Sequence, residues 1–268
     1  MDVYWLEQTT ADLPSDNAWL NAGEANRLRL MRFPKRRADW ILGRWTAKNA
    51  AAIFLDIPPE PRLLREIEIR PARSGAPEVF VGDDLALIQI SISHRDGVAA
   101  CAFTRSSALL GCDLELVEPH SDAFVADYFA EEEQAFLAQA AHPGRLLLQS
   151  LFLSAKESAL KALREGLRLD PRQMIVSIQD SSEGPRGNIQ GSLSRPSPSA
   201  HTLFPGEAWK ELEVRNASGQ TFKGWWSQTG DLLRTILAVP APGRPTFLTN
   251  QVPLSGVGGS ALQKIRLN

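Results

Sequence analysis

Asp113 and Glu115 stand one residue apart in the apolar run from Leu109 to Leu116. On a β-strand, alternation sends both carboxylates to one face, roughly 7 Å apart, with Leu114 and Leu116 on the other. Carboxylates held that way repel each other unless a cation lies between them. A hard divalent ion, which prefers oxygen ligands and accepts phosphate groups, suits that place. In a second segment, residues 146–164, Glu157 and Lys161 are four apart and share a helix face. Turned toward Asp113 and Glu115, Glu157 would give a third oxygen ligand or a general base. Lys161 would then neutralise charge on a metal-bound phosphate. Each pattern alone also describes a solvated strand face and a surface ion pair.

Ser93-His94, at the end of another alternating run, adds a hydroxyl, an imidazole and turn amides, a set that can contact phosphate. A Ser–His hydrolase is disfavoured, because neighbours on a strand face opposite ways and no G-x-S-x-G turn is present. The charge is segregated. Eight Arg or Lys and one acid lie between Arg27 and Lys48, and eight acids with no Lys or Arg lie between Asp113 and Glu133, within a net charge of −2. That balance points to a small polyanion and a cation, and away from a general nucleic-acid binder. There is no P-loop or G-x-G-x-x-G, and Cys101 and Cys112 have neither zinc spacing nor the number for a disulfide scaffold.

These residues need elements to carry them. The pattern predicts a helix over 36–54 with Arg37, Arg44 and Lys48 on one stripe, stopped by Pro58-Pro59. Strands are expected at 66–70, 78–81, 87–93 and 98–103, the last two a hairpin around His94-Arg95-Asp96-Gly97. A strand over 108–117 precedes a helix over 123–140 with Glu131, Glu132 and Glu133 solvated, then the long helix 146–164 closed near Gly166. Strands follow at 173–179, 210–215, 221–228 and 233–239, with a Ser-, Pro- and Gly-rich excursion at 180–206. The expected organisation is 1–105, 106–240 and an irregular tail 241–268. The composition, 43% hydrophobic and 22% charged over 268 residues, is that of a globular chain large enough to build its own core. No apolar run approaches the roughly 18 residues of a membrane span, and the first residues lack a signal peptide pattern, so the expectation is a cytoplasmic protein.

Together, Ser91-Ile92-Ser93-His94-Arg95, Gly111-Cys112-Asp113-Leu114-Glu115, Tyr128-Phe129 with Glu133, and Ser154-Ala155-Lys156-Glu157-Ser158 with Lys161 resemble the 4′-phosphopantetheinyl transferases. The likeness is to the large, monomeric, pseudo-dimeric (surfactin-synthetase-activating) type, and Arg37 to Arg44 is similar to that family's amino-terminal R-x-x-x-x-x-G-R element. The resemblance covers roughly residues 30–178. It implies an α/β fold of the α+β kind: two similar halves, pseudo-twofold related, each a small antiparallel sheet packed on a long helix, with coenzyme A in the cleft. It implies transfer of the phosphopantetheine arm of coenzyme A to a serine of an acyl, polyketide or peptidyl carrier protein, with Mg²⁺ (or Mn²⁺) and no nucleic-acid or membrane partner. Asp113, Glu115 and Glu157 would form the metal set, with Asp113, Glu157 and Lys161 catalytic. Arg37, Arg44, Ser93, His94, Lys156 and Lys161 would bind coenzyme A. Two positions depart from the family pattern: Ala76 in Gly75-Ala76-Pro77 replaces a cation, and Leu153 replaces a tryptophan. A non-catalytic coenzyme A or carrier-binding module, and a metal-dependent phosphodiesterase, are the alternative readings.

Overall fold

A computed structural model of the chain describes residues 1–105, 107–164, 169–178 and 209–248. Gly166, the segment 180–206 and the tail beyond residue 248 lie outside the described residues. The described residues divide into two compact units, one drawn from Asp2–Ala108 and the short segment that starts at Pro245, the other from Met1 and Leu109–Arg244.

The first unit contains β1 (Tyr4–Thr9), α1 (Ala22–Leu30), α2 (Pro34–Leu55), the single turn α3 (Pro61–Leu64), β2 (Ile67–Pro71), β3 (Pro77–Val81), β4 (Asp84–Leu85), β5 (Gln89–Arg95) and β6 (Val98–Thr104). Helix α2 begins on Pro34, whose missing N–H costs nothing in the first turn, and ends on Asp56 in the left-handed conformation. Its buried Ala47, Ala50 and Ala51 bring the helix close to the sheet, over a core that includes Leu6, Trp19, Phe54, Ile90 and Phe103.

The second unit contains β7 (Leu109–Leu116), α4 (Asp122–Tyr128), α5 (Glu131–Gln139), α6 (His142–Leu163), β8 (Met174–Ile178), β9 (Lys210–Asn216), β10 (Thr221–Thr229) and β11 (Leu232–Val239). Its strands form an antiparallel sheet in the order β7-β11-β10-β9-β8. Helix α6 lies on β7 and β11, above a core of Leu151, Phe152, Leu160, Phe222, Leu233 and Leu237. A last strand, β12 (Thr246–Leu248), returns to the first unit and pairs in parallel with β1, giving the order β12-β1-β6-β5.

The α+β architecture agrees with the expectation, with four differences in detail. The helix expected over 123–140 is two, because Phe129 is fully buried and Ala130 is extended, where it serves as the N-cap of α5. Strand β1 carries no sequence signal, since Trp5 and Leu6 are both buried on opposite faces and alternation is lost. Helix α1 is weakly amphipathic, burying only Glu24 and Leu28. Residues 246–248, expected to be irregular, are a strand.

The two units repeat one plan. In each, a strand (β1 or β7) pairs antiparallel with the second strand of a hairpin (β5–β6 or β10–β11). Each has a 9-residue helix followed by a 22-residue helix. The fifteenth residue of each long helix is a buried lysine. Lys48 Nζ lies 2.5 Å from Glu24 Oε2 and donates to the carbonyls of Trp19 and Leu64. Lys156 Nζ lies 2.6 Å from Glu133 Oε2 and donates to the carbonyls of Tyr128 and Pro171. Both glutamates are the third residue of the short helix and accept from its N-cap amide, Asn21 or Ala130. An aromatic ring supports each ammonium, Trp19 at 5.6 Å and Phe129 at 5.4 Å.

Candidate active site

The second unit gathers Asp113, Glu157 and Lys161. Strand β7 turns Gly111, Asp113 and Glu115 toward α6. A Cβ on Gly111 would lie 1.8 Å from the Ser158 carbonyl oxygen, so only glycine lets strand and helix approach this closely. At that separation Lys161 Nζ reaches Asp113 Oδ1 at 2.8 Å and the Cys112 carbonyl at 3.0 Å. The Asp113 side chain is 9% exposed and that of Lys161 is 32% exposed, so the pair opens toward solvent on the lysine side. Burial first, and then the charge of Asp113, push the Glu157 carboxyl above the usual carboxylate range, against the pull of Lys161. Burial works against the Lys161 ammonium, but the nearby Asp113 and Glu157 charges outweigh it and hold its pKa above the ordinary value. A carboxylate inclined to hold a proton, beside a lysine that keeps its charge, is a pairing suited to accepting a proton while neutralising an anion.

Other expected site residues are placed differently. Glu115 accepts a hydrogen bond from the Leu116 amide at 2.9 Å. Among the described residues no three His, Cys, Asp or Glu side chains are drawn close enough to hold a metal ion, so Asp113, Glu115 and Glu157 do not form one cluster. Lys156, expected to contact coenzyme A, is 1% exposed, and its donors go to Glu133, Tyr128 and Pro171. It is a core residue because consecutive helix positions are about 100° apart, so Lys156 and Glu157 point different ways. Glu133, expected in solvent, is its buried partner and also accepts from the Val176 amide.

Arg37, Arg44, Ser93 and His94 belong to the first unit. Arg44 is 10% exposed at its side chain, lies 3.8 Å from Glu24, donates to the Ile69 carbonyl and stacks over Trp40 at 4.8 Å. Burial lowers its pKa despite Glu24. Arg44 and Lys48 are therefore held inside the unit, so of the stripe they share with Arg37 by spacing, only Arg37 is exposed. Arg37 is exposed, with one donor on the Leu28 carbonyl. Ser93 is 6% exposed on β5, and the next residue, His94, has its ring open to solvent with Nδ1 4.0 Å from Asp39 Oδ2. A Cβ on Gly43 would lie 3.4 Å from Ile92 and 3.8 Å from His94, so α2 crosses β5 at the Ser93-His94 end. Leu153, at the position of the missing tryptophan, is partly buried against the second core.

Residues 109–211 match the model of the 4′-phosphopantetheinyl transferase superfamily. No curated protein matches the chain. That stretch carries Asp113, Glu115, Glu157 and Lys161, and it belongs to the 4′-phosphopantetheinyl transferase superfamily, which makes it a transferase domain of the phosphopantetheinyl type.

Proposed function

We propose that the protein transfers the 4′-phosphopantetheine arm of coenzyme A to a serine hydroxyl of an acyl, polyketide or peptidyl carrier protein, acting as a monomer. The observation that carries this reading is the meeting of Asp113, Glu157 and Lys161 inside the stretch that matches the superfamily. In this reading Glu157 takes the proton of the carrier serine as its oxygen bonds to the phosphorus of the pantetheine-side phosphate. The bond from that phosphorus to the bridging oxygen breaks, and adenosine 3′,5′-bisphosphate leaves with the electron pair. Lys161 neutralises the charge that builds on the diphosphate, so positioning and charge supply most of the rate.

The donor chemistry of Asp113 and Glu157 fits a hard divalent ion such as Mg²⁺ or Mn²⁺, since both are oxygen ligands whose mutual repulsion a cation relieves. Glu115 on the same strand face would complete the set by leaving the Leu116 amide. Such an ion would supply charge neutralisation at the diphosphate. Within the first unit, Arg37 and His94 are exposed and Ser93 stands beside them, a set whose donors can contact phosphate.

Intact-protein mass spectrometry tests the reading. The protein, coenzyme A, Mg²⁺ and a panel of apo carrier proteins should give one phosphopantetheine addition on the carrier serine, lost with chelator. Coenzyme A binding without any addition would instead make the chain a binding module. Release of 4′-phosphopantetheine without a carrier would make it a phosphodiesterase.

A further inference from the structure

Three hydroxyls lie sealed between α6 and β11 beside the Asp113–Lys161 pair. Ser154 Oγ and Ser158 Oγ each lie 2.8 Å from Thr235 Oγ1. Thr235 Oγ1 donates to the Ser154 carbonyl at 3.0 Å, and Ser158 Oγ lies 3.4 Å from the Thr235 carbonyl. All three residues are 0% exposed. One assignment satisfies every group: the Thr235 hydroxyl donates to the Ser154 carbonyl and accepts from both serines, filling its donor and both lone pairs. Thr235 is also the residue directly opposite Asp113 in the β7–β11 ladder. Ser154 and Ser158 stand one helical turn before Glu157 and Lys161 respectively, on the helix that presents both.

The first unit shows that the scaffold does not need this cluster. Leu116 pairs with Leu232 at the start of β11 and Thr9 with Val98 at the start of β6, so counting along both ladders sets Cys101 in the place of Thr235. Counting from the buried lysines sets Thr46 in the place of Ser154 and Ala50 in the place of Ser158. Thr46 donates to Leu42 within its own helix. The same helix-on-sheet packing is thus reached with one hydroxyl turned inward on its helix. The hydroxyl trio occurs in the unit whose helix carries Glu157 and Lys161.

We propose that Thr235, through Ser154 and Ser158, is a positioning residue that fixes the register of α6 on β7 and so holds Glu157 and Lys161 against Asp113. This rests on the transferase reading of the site. Hydroxyl geometry is directional where apolar packing is not, so it resists the small slides of the helix that would part Lys161 from Asp113. A misplacement of about 1 Å in a catalytic group can cost about a hundredfold in rate.

The test compares Thr235→Val, which keeps shape and loses the hydroxyl, with Thr235→Ser, which keeps the hydroxyl, and with Thr46→Val in the first unit. Thr235→Val should lower kcat by about 10- to 100-fold with KM for coenzyme A within about twofold. Thr235→Ser should restore kcat, and Thr46→Val should leave it unchanged. A second readout needs no transfer: acylation of Lys161 by acetic anhydride, followed by peptide mass spectrometry, should be several-fold faster in Thr235→Val than in wild type or Thr235→Ser. Should Thr235→Val not fold, Ser158→Ala takes its place in both measurements. Wild-type kcat with wild-type Lys161 labelling in Thr235→Val overturns the proposal, as does a loss that serine does not rescue or one that Thr46→Val matches. Absence of transfer by the wild-type protein would overturn the transferase reading, and the Lys161 labelling would still decide the positioning.

Discussion

Both units set a 22-residue helix on a sheet, mixed in the first unit and antiparallel in the second, and pin it with a buried lysine bonded to a capping glutamate and two carbonyls. They part at the positions that face the strand. Where the second unit has Asp113, Glu115, Glu157 and Lys161, the same counting places Leu6, Gln8, Asn49 and Ile53 in the first. The ion pair present in both therefore belongs to the scaffold, and the acidic and basic groups present in one are the candidates for the chemistry we propose. The Lys156-Glu157 pair divides accordingly: the lysine serves the fold, and the glutamate faces the candidate reaction. A buried ion pair is weak evidence for net stability, since desolvation offsets much of the attraction. Its recurrence with two carbonyl acceptors and one aromatic ring in each unit points instead to a role in fixing how each short helix docks on its long one.

The largest expected effect separates the units outright. Glu157→Gln should lower kcat by about 10²- to 10⁴-fold, the range of a lost general base, while Asn49→Ala in the first unit should leave kcat within a few-fold. Steady-state transfer assays measure both, and retained turnover in Glu157→Gln would remove that residue from the site. Next come the buried lysines. Lys156→Met and Lys48→Met should each destabilise by about 3–5 kcal/mol, because each strips the bonded ammonium from a buried carboxylate, Glu24 keeping Arg44 at 3.8 Å, beyond hydrogen-bond reach. Similar losses in thermal or urea unfolding would support the parallel. Loss of transfer in Lys156→Met at unchanged stability would show instead that this lysine meets substrate.

A smaller contrast concerns the glycines at the two helix–strand crossings. Gly111→Ala must push β7 off the Ser158 carbonyl and should cost about 1–3 kcal/mol, with a fall in kcat. Gly43→Ala meets Ile92 at an ordinary contact distance of 3.4 Å. Its helix-propensity gain of up to about 1 kcal/mol should leave stability unchanged or raised. Unfolding midpoints of the two variants settle the contrast.

The smallest effect is at acid pH. Glu68 in the first unit and Asp170 in the second are each bonded to the arginine two residues on, Arg70 or Arg172, which holds the carboxyl below its ordinary value. The folded-state value is lowered, so the stabilisation is present above the ordinary value, about 4.5 for Glu68, and is lost as pH falls through the lowered one. Arg70→Gln should remove a few tenths of a kcal/mol at neutral pH and flatten the acid limb slightly. Arg172→Gln should flatten it in the same sense. A melting profile against pH that is unchanged in both would mean neither pair contributes.

Much of this was legible in the order of residues. The alternation around Asp113 and Glu115, the four-residue spacing of Glu157 and Lys161, and the hairpin before Val98 all appear where periodicity expects them. The features that escaped did so for separate reasons. Strand β1 is buried on both faces, so nothing alternates, and β12 is three residues long and exists by pairing with the opposite end of the chain. Glu133 reads as one of three solvated glutamates until its helix is seen to begin at residue 131, which makes it the capping position.

The sequence by itself determined which groups exist, their local spacing and the periodicity of most helices and strands, because those depend on neighbours along the chain. Tertiary structure decided the direction and surroundings of each charge. Lys48 and Lys156 lie in stretches that read as surface, yet burial against carbonyls up to 29 residues away turns them inward. Lys161 and Asp113, 48 residues apart, meet because Gly111 has no side chain to hold α6 away. Thr235, without a motif of its own, gained its place from a ladder that sets it opposite Asp113. Long-range packing assigns such partners, and no local pattern encodes them.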